Sequence, residues 1–67
     1  MNVSEEEFQY MKKHLITELV SVIVEQEHLT TEEALKKIYT SELFKKINNP
    51  DSGLFFQSPR YVYSCFK

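Results

Sequence analysis

The chain has a single cysteine, Cys65, among 67 residues, so no intramolecular disulfide can form. Secreted domains of this size usually carry several cross-links. One glycine and two prolines exclude collagen-like or linker-like composition. No apolar run approaches the roughly 20 residues that a membrane-spanning helix needs. A basic excess is missing as well: eight bases stand against ten acids, a formal charge of −2. Generic nucleic-acid binding draws on such an excess. The opening residues, Met1-Asn2-Val3-Ser4-Glu5-Glu6-Glu7, are acidic and lack the apolar centre of a signal peptide. Together with the lone thiol, this leads to the expectation of a cytoplasmic protein outside the membrane.

What remains is 42% apolar and 13% aromatic, too much for an intrinsically disordered chain. The length allows one domain, 1–67, without room for a separate substrate domain. A domain this short buries only about 60% of its unfolded surface. With disulfides excluded and no metal cage visible, self-association is one way to supply the missing stability. A homo-oligomer and a solitary folded chain are both compatible with the sequence.

The pattern predicts an all-α fold, a small bundle of three to four helices with one long N-terminal helix. Ser4 and Glu7 form a capping box, and three carboxylates sit in the first turn, where the helix dipole favours them. The helix should cover 5–26. At 100° per residue, Phe8, Met11, Leu15, Leu19, Val22 and Ile23 share one stripe. Ile16, Val20 and Val24 form a second stripe, spaced by four. The β-branched run from Val20 to Val24 would also suit a strand, but the helical period begins upstream and nothing interrupts it. Thr30 and Glu33 repeat the capping box ahead of a helix over 31–40, which should bury Ala34, Leu35, Ile38 and Tyr39. Leu35, Tyr39, Leu43 and Ile47 continue at steps of four, so one long helix is conceivable, but Thr40-Ser41 falls in its middle and is read as a break, with a short helix over 42–48 after it. Asn48-Asn49-Pro50-Asp51-Ser52-Gly53 is the one concentrated turn segment. Residues 54–57 are expected to be extended. Ser58 and Pro59 then start a helix over 59–66, as N-cap and first helical residue. Val62, Cys65 and Phe66 are expected on its buried face.

Candidate chemistry is sparse. His14 and Glu18 stand four apart, but two groups do not make a metal site, and a solvated helix face accounts for them. Cys65 has no obvious base, so a structural thiol is the simpler reading. The sequence holds no glycine-rich phosphate loop, metal-ligand set or nucleophile–base pair, so an enzyme, a catalytic residue and a bound cofactor or metal are not expected. Three lysine pairs recur. Those at Lys36-Lys37 and Lys45-Lys46 flank the predicted break and raise the alternative of a small DNA-binding regulator. Base-reading helices usually offer Arg, Asn or Gln, however. The most informative cluster is aromatic: Phe55, Phe56, Arg60, Tyr61 and Tyr63 lie within nine residues, and such residues are enriched at interaction hot spots. Leu54 and one of the two phenylalanines are assigned to the core. The leading functional expectation is a protein–protein interaction module that pairs with itself or another protein. Its candidate surface is Ile16, Val20, Val24, Phe55, Phe56, Arg60, Tyr61 and Tyr63.

The run Asn49-Pro50-Asp51-Ser52-Gly53-Leu54-Phe55-Phe56-Gln57-Ser58-Pro59-Arg60-Tyr61-Val62-Tyr63 resembles the end of a family of short bacterial proteins without an assigned activity. Their tails read as an acidic Pro-containing turn, Thr/Ser-Gly-Leu-Tyr/Phe, then Ser-Pro-x-Tyr-Val-Tyr. Upstream, Glu33-Ala34-Leu35 and Ile38-Tyr39-Thr40-Ser41 are similar to that family's second helix and the break after it, so the likeness spans residues 15–67. Phe55 and Phe56 depart from the family, which often has Tyr there, and Cys65-Phe66 is a second departure. The family is similar to small reading frames near toxin–antitoxin-type genes. The resemblance therefore implies at most an antitoxin-like or accessory role, and it implies no catalytic residue.

Overall fold

A computed structural model describes residues 4–66. Met1, Asn2 and Val3, part of the acidic opening segment read above, lie outside the described residues, as does Lys67. The described chain is all-α and holds no strand. Its helices are α1 (Glu5–Glu27), α2 (Thr31–Tyr39), α3 (Glu42–Ile47) and α4 (Pro59–Ser64). Two 3-10 turns, Pro50–Ser52 and Leu54–Phe56, connect α3 to α4. None of the described helices is long and apolar enough to cross a membrane.

Local chemistry places the boundaries. The Ser4 hydroxyl accepts from the Glu7 N–H at 3.1 Å, and the Glu7 carboxylate accepts from the Ser4 N–H at 3.1 Å. Thr30 and Glu33 repeat the exchange at 3.1 and 2.9 Å. Each box satisfies donors that the first helical turn would leave unpaired. Helix α1 stops at His28, whose φ of 56° and ψ of 38° put it in the left-handed region while its N–H still reaches the Val24 carbonyl. Ser41 separates α2 from α3. It turns extended, accepts from the Phe44 N–H at 3.3 Å and donates to the Ile38 carbonyl at 2.8 Å. Ser58 caps α4 by accepting from the Tyr61 N–H at 3.2 Å, with Pro59 in the first turn.

The expectation of extended backbone over 54–57 is corrected. Gly53 sits at φ 71°, ψ 4°, a conformation that glycine adopts without steric cost. It turns the chain back so that the Phe56 N–H reaches the Gly53 carbonyl and the Gln57 N–H reaches that of Leu54. Residues 54–56 thereby close a 3-10 turn, and only Gln57 is extended. The turn keeps Phe55 inside and leaves Phe56 about half exposed, at 47%.

Each helix contributes to one centre. Leu19 and Ile23 come from α1, Ile38 from α2, Ile47 from α3 and Val62 from α4, and all five are fully buried. Removing such a side chain from water stabilises the fold by about 1.5–3 kcal/mol. Helix α1 is the strut: 23 residues at 1.5 Å per residue match the 36 Å long axis of the molecule. It packs against α2 and α4, and the second 3-10 turn closes on it too. There Phe8 meets Phe55 edge-on, with ring centroids 5.0 Å apart.

A polar clasp ties the far end of α1. Glu27 accepts from the Lys37 ammonium of α2 and, at 2.9 Å, from the Tyr63 hydroxyl of α4. A carboxylate at a helix C-terminus opposes the dipole, and these two donors offset that cost. The hydrogen bond to Glu27 and partial burial hold the Tyr63 phenol above its ordinary range.

Candidate functional site

The two apolar stripes of α1 have different fates. On the first, Phe8, Leu15, Leu19, Val22 and Ile23 are buried and Met11 is half-buried. On the second, Val20 is buried at 8% exposure, while Ile16 and Val24 are only half-buried. Nine-residue α2 is too short to roof the whole of a 23-residue neighbour. The uncovered part is a groove of about 530 Å³ between α1 and α2. Its apolar floor is Ile16 and Val20 from α1 with Leu35 and Tyr39 from α2, and Gln9, Lys12 and Lys13 rim it at the end where α1 begins.

Tyr39 and Leu35 correct the expectation for α2. Ala34 and Ile38 are fully buried, but Leu35 is half-buried and Tyr39 is 52% exposed. The break at Ser41 starts a new helix, so Leu43 and Ile47 turn inward without carrying Tyr39 along. Tyr39 leans instead on Phe44, edge-on with centroids 4.8 Å apart, and keeps one face toward the groove. The sequence signal was its position as the last residue of α2, directly before the break, where the following helix cannot cover it.

The aromatic tail divides. Phe55 and Tyr63, named as candidate surface, are core residues at 3% and 9% exposure. Phe55 lies between Phe8, which meets it edge-on, and Phe56, which stacks on it, and Tyr63 is drawn in by Glu27. Phe56, Arg60 and Tyr61 remain on the surface, with Arg60 3.7 Å from Glu25. Phe56 and Pro59 border a second depression of about 300 Å³, with Tyr10, Met11 and His14 of α1. This is a different face from the groove, because Met11 and Ile16, five residues apart, point about 140° away from each other around α1. The eight candidate residues thus do not form one surface: Ile16 and Val20 belong to the groove and Phe56 to the second depression. Val24 packs half-buried against the core.

Cys65 is exposed and not on the buried face expected for it, and α4 ends at Ser64, just before it. His14 and Glu18 lie on the solvent side of α1, and among the described residues no three His, Cys, Asp or Glu converge as metal ligands. The lysines scatter. Lys37 is spent on Glu27 and Lys45 pairs with Glu42 at 3.6 Å. Lys12 donates to the Asn48 side chain at 3.0 Å and sits 5.4 Å from the centroid of the Phe8 ring. Lys12 and Lys13 stand where the groove opens. Comparison with protein families, with curated proteins and with solved structures found no match to this chain.

Proposed function

We propose that this chain is a protein–protein interaction module that receives a helical segment in the groove between α1 and α2. One observation carries the reading: Ile16, Leu35 and Tyr39, all apolar or aromatic, are left partly exposed along one continuous groove. Grooves between helices with such a floor accept amphipathic helices through anchors spaced three or four residues apart. The side chains lining the groove include no carboxylate, imidazole or thiol, which supports binding over catalysis. The DNA-binding alternative loses support from the pairing of Lys37 and Lys45 with carboxylates and from an α3 of only six residues. An antitoxin-like or accessory role would be one use of such a module, and it rests on the resemblance over residues 15–67 alone.

A photo-reactive phenylalanine analogue at Tyr39, compared with the same analogue at Ser64, tests the reading in cells that express the protein. Covalent capture of a defined polypeptide at position 39, and not at 64, is the expected result. Absence of adducts at position 39, or equal capture at both positions, would refute it.

A further inference from the structure

We infer that the occupant of the groove is an acidic amphipathic helix of another protein, a refinement that rests on the groove being a docking site. The argument is charge complementarity. The chain carries a formal charge of −2, yet the groove is lined by two ammonium groups, Lys12 and Lys13, and by no acid. Lys12 is held by a neutral amide and an aromatic face, not by a carboxylate. Its charge is therefore positioned but not neutralised. An apolar floor of Ile16, Val20, Leu35 and Tyr39 with positive charge gathered toward one end matches a helix that has an apolar row and carboxylates at the corresponding end. Charges at the edge of an interface set orientation and exclude like-charged competitors more than they add affinity.

A second copy of the chain fits less well. Its acid-rich first turn belongs to α1, whose first apolar stripe is already turned into its own core. Its large exposed rings, Tyr10, Tyr39, Phe56 and Tyr61, belong to four different elements, and the two that share a depression, Tyr10 and Phe56, lie on a different face from the groove.

A display library of helical peptides tests the inference. Each peptide keeps a fixed apolar row at helical spacing and has randomised polar positions. Selection on the wild-type protein should enrich peptides of net negative charge. Lys13→Glu should weaken the leading peptide by about ten-fold, the size expected for loss and reversal of one rim contact, and should shift enrichment toward basic peptides. Leu35→Asp should abolish binding, with circular dichroism used to check that the helices persist. Enrichment that is lost in Leu35→Asp but shows no charge preference would overturn the acidic partner and leave the docking groove intact. No enrichment, or enrichment insensitive to Leu35→Asp, would overturn both. Concentration-dependent dimers in light scattering that vanish in Tyr39→Ser would name a second copy as the occupant and overturn the inference.

Discussion

The hydroxyl of Tyr63 donates to Glu27 at 2.9 Å, and Glu27 also takes the Lys37 ammonium. This hydrogen bond to a carboxylate raises the phenol's pKa above the ordinary 10.0, because ionising it would break the bond and set two negative charges together. The unfolded chain therefore releases this proton at lower pH than the folded one. The stabilisation from the pair is complete below the unfolded value and is lost as pH rises through the folded one. Urea midpoints of wild type should fall as pH climbs past about 10, the usual phenol value, and Tyr63→Phe should fall less steeply there. Identical alkaline slopes for the two proteins would show that the pair contributes nothing. Its position explains why the tail splits: one ring of the cluster has a carboxylate waiting at the end of α1, and its neighbour Tyr61 does not.

The two capping boxes act at the scale of the element. Glu7 and Glu33 each accept from the backbone N–H of the cap residue and each donate their own N–H to its hydroxyl, and both carboxyls lie below their ordinary 4.5 as a result. A lowered carboxyl pKa contributes stability above the unfolded value and loses it as pH falls through the folded value. Thr30→Ala should cost about 1 kcal/mol at neutral pH, the usual worth of such a cap. Glu33→Gln should flatten the acid limb of the stability profile as pH falls from the ordinary 4.5 through the lower folded value. Equal acid slopes for Glu33→Gln and wild type in chemical unfolding would contradict this. The same scale explains the 3-10 turn at 54–56. The apolar run Leu54-Phe55-Phe56 was read as extended, yet one left-handed glycine before it decides that the backbone curls.

The whole molecule is a long helix with α2 and α4 packed on it and α3 joined through α2 and the 3-10 turns. At 0.05–0.15 kcal/mol per residue, a chain of this length has roughly 3–10 kcal/mol of stability. Ile38 is fully buried where the helices meet. Ile38→Ala should therefore cost about 2–5 kcal/mol, a large share of the total, seen as a collapse of the thermal midpoint in circular dichroism. A loss under about 1 kcal/mol would mean the centre is looser than its burial implies. The groove follows from the same proportions, since a nine-residue α2 lies along a strut of 23 residues.

The sequence alone determined the helices and their capped starts, because those depend on side chains within four residues of one another, whereas the break at Thr40-Ser41 stood open against one continuous helix until the structure showed it. The sequence also marked the second stripe of α1 as more apolar surface than the chain could cover. Which parts of that stripe stay uncovered was decided by packing at long range. Val20 is buried while Ile16 is half-buried, and Phe55 and Tyr63 find partners in Phe8 and Glu27, 47 and 36 positions away. Cys65 and Tyr39 were misplaced for a related reason: each lies on a helix face that the neighbouring elements leave open, Tyr39 on the same face as half-buried Leu35. Spacing along a helix ranks its faces, and only the lengths and docking of the other helices determine which face meets water.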